Sequence, residues 1–184
     1  MEQLKYPGSM HNHTDFSNFR FRDSTIPVNK LIDRAIQLGH KVVAITEHET
    51  IASAIRAENY YAKIKKDNPD FKVIFGNEIY LCRNGLNASN FNREYDKYYH
   101  FILVAKDAIG HKALRELSSI AWDYAYVDRG MKRVPITKEE MSKIVTKYKG
   151  HLIATSACLG GELSTAAWNM SQAERVNDMA TAKI

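Results

Sequence analysis

Lys41-Val42-Val43-Ala44-Ile45-Thr46 is an almost unbroken apolar run, and it limits the fold more than any other stretch. A run this short and this β-branched reads as a strand buried on both faces, so other elements must pack above and below its sheet. Helical text flanks it. Upstream, Ser24 or Thr25 stands as a cap and Pro27 falls in the first turn. Leu31, Ile32, Ala35 and Leu38 then recur at helical spacing before Gly39 stops the helix. Downstream, residues 50–66 read as a helix with Ile51, Ala54, Ile55 and Ala62 on one face, broken by Asn68-Pro69-Asp70.

Further strands are expected at residues 71–75, 98–105 and 151–155, beside a short N-terminal one through Leu4, Tyr6 and Met10. Helices are expected from Gly110 to Tyr124, from the capping box Thr137-Lys138-Glu139-Glu140 to Tyr148, and from a second box at Ser171-Gln172-Ala173-Glu174. Residues 83–97 are polar and read as a loop or a β-excursion on one end of the domain, and the basic segment holding Arg129, Lys132 and Arg133 reads as a loop. Strands alternating with helices imply an α/β domain with parallel strands.

With 184 residues, 45% of them hydrophobic, the chain is long enough for one domain with a buried core, and 1–184 read as a single unit. No apolar run nears the roughly 18 residues that span a bilayer, so no membrane association is expected. Two cysteines, Cys82 and Cys158, make neither a disulfide framework nor a metal knuckle, which points to the reducing cytoplasm. A net charge of +5 permits a phosphate-bearing partner without requiring one. There is no Gly-rich phosphate loop, dinucleotide fingerprint or nucleophile elbow.

The polar residues fall in a pattern. His11 and His13 share one side of an extended segment, roughly 7 Å apart at Cβ. With His48, Glu78 and Cys158 they lie at or just past the C-terminal ends of expected parallel strands. In a β/α barrel those ends gather on one rim, where active sites form. Histidines with carboxylates suit zinc, manganese or iron. Each residue also has a plain structural reading: two polar residues at a strand end, a loop histidine, a solvated carboxylate, a small buried thiol. His100 sits at the start of its strand, where spacing gives it no special role, and Asp23 reads as a helix cap. His40, His111 and His151 read as structural. Arg20 and Arg22, near the histidine pair, are candidate phosphate holders.

These segments together resemble a known family. The resemblance rests on His11-Asn12-His13-Thr14-Asp15-Phe16-Ser17, Ala44-Ile45-Thr46-Glu47-His48, Gly76-Asn77-Glu78-Ile79-Tyr80 and Tyr99–Lys106. Ser118-Ser119 and Thr155–Glu162 complete it. They are similar to the PHP (polymerase and histidinol phosphatase) domain at the N-terminus of the bacterial DNA polymerase III alpha subunit. The resemblance implies a distorted (β/α)7 barrel with a multi-metal cluster of zinc, manganese, iron or magnesium. It implies His11, His13, Asp23, His48, Glu78, His100 and Cys158 as ligands, with Glu47, where many members carry Asp, behind them. It also implies 3′–5′ exonuclease action on a DNA 3′ end, with Arg20, Arg22, Arg129, Lys132 and Arg133 on the backbone. The rest of the alpha subunit, or other replisome proteins, would be the partner.

The chain stops at Ile184, before the family's final Asp-x-His pair. The expectation is therefore a barrel incomplete at its C-terminus, either a fragment or a split gene product. An uncovered barrel edge would then favour a homo-oligomer or partner. Two rivals stand beside the exonuclease: a non-catalytic scaffold for the polymerase core, and a stand-alone phosphatase on a small phosphomonoester such as histidinol phosphate.

Overall fold

The computed structural model describes residues 7–19, 22, 24–82, 97–128 and 130–175. Its centre is a mixed sheet in the order β1 (Gly8–Ser9), β2 (Val42–His48), β3 (Lys72–Cys82), β4 (Tyr99–Ala105) and β8 (Leu152–Ser156). β7 (Pro135–Thr137) also pairs with β3, at Tyr80–Cys82, just past the stretch that β2 covers. β5 (Tyr126–Asp128) and β6 (Met131–Arg133) form a separate hairpin turned at Gly130, whose φ is +74°. The helices are α1 (Val28–Gln37), α2 (Ala54–Ile64), α3 (Ala108–Asp123), α4 (Lys138–Lys147) and α5 (Glu162–Arg175). The fold is α/β, its sheet curled into a half-barrel. No helix among the described residues is long and apolar enough to cross a membrane.

Strand parity divides the sheet into two faces. On β3, Val73, Phe75, Ile79 and Leu81 point toward the helices. They join one cluster with Val28, Ile32 and Ala35 of α1 and Ala57 of α2, and a second with Leu114 and Leu117 of α3 and Ile144 of α4. Burying each of these large side chains contributes about 1.5–3 kcal/mol, and together they hold the helices to the sheet. The intervening residues of β3, Gly76, Glu78 and Tyr80, point the other way. Register places His48 of β2 opposite Glu78, and His100 of β4 opposite Tyr80.

Several expectations are corrected here. β4 runs antiparallel to β3, and β8 antiparallel to β4, so the strands are not all parallel. A parallel return needs a crossover, usually helical, and the polar text of 83–97 offers no helical period. β3 continues through Glu78 to Cys82 because β4 and β7 supply partners beyond the Gly76 point where the apolar text ends. The basic segment is a hairpin. Ser171 lies inside α5, which starts at Glu162 beside Lys138, whose Nζ is 2.5 Å from Glu162 Oε2. Ser24 and Thr25 do not cap α1: Pro27 is its N-cap, with no side-chain bond, while the Ser24 hydroxyl donates to the His13 carbonyl at 3.1 Å. Ile55 is 75% exposed, outside the core face it was expected to join. Other signals hold. Gly39 ends α1 with φ +76°, and Thr137 accepts from the Glu140 amide at 3.1 Å as N-cap of α4.

Gly76 of β3 is paired on one side with Thr46 of β2 and on the other with Val104 of β4. A Cβ there would lie 2.7 Å from the Leu103 carbonyl oxygen and 2.9 Å from Thr46 Cγ2. The backbone cannot yield to that contact while both ladders are kept. Gly76→Ala is expected to cost about 1–3 kcal/mol, read as a lower urea midpoint at unchanged slope.

Candidate metal centre

The segment carrying His11 and His13 is not a strand beyond Ser9, yet it is fastened to β2 along its length. Asn12 does most of this. Its amide donates to Thr46 Oγ1 at 3.0 Å, its carbonyl accepts from the Thr46 amide at 2.9 Å, and its side-chain amide donates to the Ala44 carbonyl at 2.8 Å. Asn12 thereby faces β2 and the two histidines flanking it turn the other way. Their Nε2 atoms stand 3.0 Å apart.

Glu47, opposite in parity to His48, fixes the turn that follows. It is 1% exposed. Its carboxylate accepts from the Thr14 amide at 2.9 Å, the Thr14 hydroxyl at 2.5 Å and the Ser17 hydroxyl at 2.5 Å. Three donors on one buried carboxylate offset its loss of solvation. The Ser17 oxygen also accepts from the His48 amide at 3.1 Å and lies 3.3 Å from His13 Nδ1. Ser17 and Glu47 together hold the His13 ring with its Nε2 toward the site.

Everything meets at Glu78, which is 1% exposed. Its Oε2 lies 3.3 Å from His11 Nε2, 3.0 Å from His13 Nε2 and 2.8 Å from His48 Nδ1, and its Oε1 lies 2.8 Å from His100 Nδ1. Cys158 Sγ is 3.2 Å from His100 Nδ1. The rings of His13 and His48 stack with centroids 3.9 Å apart. Burial alone would push the Glu78 carboxyl up. The imidazoles of His100, His11, His13 and His48 outweigh it and hold the group well below the usual carboxylate range.

Among the described residues, neither Glu78 oxygen has a hydrogen-bond donor aligned on it. Four imidazole nitrogens stand at hydrogen-bond distance from this one carboxylate, none of them aligned along a donor direction. Such crowding is repulsive unless a cation sits between the donors. Nitrogen and oxygen ligands bonded at about 2.0–2.2 Å to one ion stand roughly 3 Å apart, the spacing found here. Two groups satisfy this, His11-His13-Glu78 and Glu78-His100-Cys158, and they share Glu78. The donors therefore fit divalent metal, which His11, His13 and Glu78, or Glu78, His100 and Cys158, would hold.

Of the residues expected at the site, His11, His13, His48, Glu78, His100 and Cys158 are brought together, and Glu47 stands behind His13. His100 arrives because β4 is antiparallel: its N-terminal end lies at the rim where the other strands finish. The Gly160 carbonyl accepts from the His100 amide at 3.0 Å, and a Cβ on Gly160 would touch the His100 ring at 3.1 Å. Cys158 is thus delivered by a turn folded onto His100. Arg20, Asp23 and Arg129 lie outside the described residues. Arg22 is exposed. Lys132 Nζ sits 5.1 Å over the Trp122 ring and the Arg133 guanidinium 5.5 Å over Tyr98, and Arg133 lines a small cavity with Tyr80 and Glu49. Tyr80 was not expected: its hydroxyl is 2.8 Å from His48 Nδ1. Its position two residues past Glu78 on one strand is the signal that could have found it.

Comparison with known proteins places the chain in a family. A model of the PHP domain matches residues 9–183. The DNA-directed DNA polymerase of Bacillus phage SPbeta is 38% identical over 177 residues, covering 94% of this chain and 14% of the relative. DNA polymerase III subunit alpha of Borreliella burgdorferi is 31% identical over 156 residues, 83% of this chain and 12% of the relative. The chain thus spans about one-seventh of the length of the curated relatives it matches. Among solved structures, an amidohydrolase from Chromobacterium violaceum covers 61% of this chain and 33% of its own, at 15% identity and a TM-score of 0.38. With a family match that takes in both histidines of the first segment, His48, Glu78, His100 and Cys158, the chain belongs to the PHP domain family.

Proposed function

We propose that this chain is a metal-dependent phosphoesterase that removes nucleotides from a DNA 3′ end, and that it serves as the N-terminal PHP portion of a polymerase-type polypeptide. The observation that supports this most is Glu78. A buried carboxylate ringed by four imidazoles, with no donor aligned on it, is costly as an ordinary ion pair and favourable as a bridging ligand. Imidazoles, one carboxylate and one thiolate suit zinc, manganese or iron better than magnesium. Divalent metal in this position supplies Lewis-acid polarisation of a phosphoester and makes water a usable nucleophile near neutral pH.

The chain's own residues do the rest. Glu47 and Ser17 hold the His13 ring and keep its Nε2 directed at the site. Tyr80, through His48 Nδ1, fixes the angle of the second ring. Outer partners of this sort govern ligand orientation and basicity. The imidazoles are partly open to solvent, His11 at 29% and His100 at 23%, so the face toward Glu78 is reachable by a chain end. DNA as the substrate is supported by relatives named DNA polymerases and by the +5 net charge.

The purified chain is expected to carry transition metal by elemental analysis, and His13→Ala or His48→Ala should remove most of it. Absence of bound metal in the wild-type chain would favour the scaffold instead. A 5′-labelled single strand should be shortened stepwise from its 3′ end, with chelation abolishing the reaction and a 3′-blocked strand left intact. Hydrolysis of a phosphomonoester with no attack on oligonucleotides would point to the phosphatase reading. Ser17→Ala, which leaves all the direct donors in place, should lower metal affinity or rate about 10–100-fold.

A further inference from the structure

The turn that carries His13 continues into Phe16, and Phe16 forms one wall of a groove that the metal centre does not use. The groove encloses about 490 Å³, with α2 along its floor and Asn29 of α1 on the far side. Ile55, Arg56, Asn59 and Lys63 make one stripe on α2 at helical spacing. All four are exposed, and Ile55 is 75% so, although it is the kind of residue a helix normally turns inward. The Arg56 guanidinium lies 5.0 Å over the Phe16 ring, so the groove mouth has a flat aromatic and cationic plate. Asp33 of α1 is already engaged: Tyr60 donates to it and Lys30 Nζ lies 3.9 Å from it, while Asp15 and Glu58 are exposed on either side of the plate.

We propose that this groove is a single-stranded nucleic-acid subsite. A base stacks on the Phe16–Arg56 plate against Ile55, and the backbone phosphates run along Asn59 and Lys63. Cation and aromatic side by side is the combination that binds single strands without reading sequence, because every base has a flat face and every residue a phosphate. A small phosphomonoester would leave the stripe beyond Arg56 unused. Continuity with the centre comes through η1 (Asp15–Phe19): Ser17, next to Phe16, is the residue whose hydroxyl meets His13. Direction along the groove is thereby set. The nucleotide stacked at Phe16 neighbours the one presented to Glu78. The inference rests on the phosphoesterase reading for its substrate class and can fail apart from it.

The test is fluorescence anisotropy of a 5′-labelled oligothymidylate with the whole 184-residue chain, in chelator so that no hydrolysis occurs. Arg56→Ala should weaken binding about tenfold, and Phe16→Leu should weaken it with the melting temperature kept. Lys63→Ala should flatten the dependence on salt. Arg34→Ala, which removes the same charge from the exposed side of α1, should leave affinity unaltered. Equal weakening by Arg56→Ala and Arg34→Ala overturns the proposal, as does a wild-type chain that fails to bind the strand. The expected pattern in a chain that never hydrolyses DNA upholds the groove and removes the phosphoesterase reading alone.

Discussion

A carboxylate buried to 1% exposure without an aligned donor is the interaction on which this structure turns. Taking an ionised carboxylate out of water costs several kcal/mol even after relaxation, and Glu78 gets back none of it from a directed hydrogen bond among the described residues. Two responses are open to a protein: protonate the group, or surround it with positive charge. Burial favours the first, and the imidazoles reverse it. Protonating four clustered imidazoles to serve one anion would set like charges about 3 Å apart. Cations held between donors resolve both problems together. A shared cation would account for this crowding of donors better than an ion-pair network does.

That cluster was legible in the sequence in proportion to how far each candidate residue obeyed the strand-end rule. His11, His13, His48 and Glu78 follow parallel strands and could be placed on one rim from the text alone. His100 breaks the rule, since its strand runs backwards, and strand direction is not encoded in an apolar run. The connection gives the better hint: 83–97 carries no helical period, which disfavours the usual helical crossover of a parallel return. Cys158 was placed on the rim by spacing, but its contact with His100 was not legible there. Its place depends on Gly160 lying flat on the His100 ring, a close approach that a glycine pair hints at and only tertiary structure fixes.

The misread elements share a cause. Ser24 and Ser171 are cap-type residues, and a serine's hydroxyl has more than one use. Ser24 spends it on the His13 carbonyl, and Ser171 sits mid-helix because Glu162 and Lys138 start the helix earlier. Thr137 was read correctly, because its partner Glu140 lies within the same turn. Local hydrogen bonds can be read locally. The hairpin of β5 and β6, by contrast, has turn residues that also suit an ordinary loop, and its pairing became visible only in the fold.

The two faces of the sheet divide labour between folding and chemistry. Odd-numbered positions of β3 pack on α1 to α4 and supply the apolar burial. Even-numbered ones carry Gly76, Glu78 and Tyr80, of which two hold polar atoms that help no core. The face that stabilises is thus separate from the face that must tolerate an unsatisfied carboxylate, though both belong to one strand. Glu47 is the exception that links them. It lies on the helix-covered side of β2, opposite Asn77, yet it spends its carboxylate on the turn holding His13. Rigidity built on the packed side is carried through that turn to the ligand, so the precision of the site derives from burial on the opposite face.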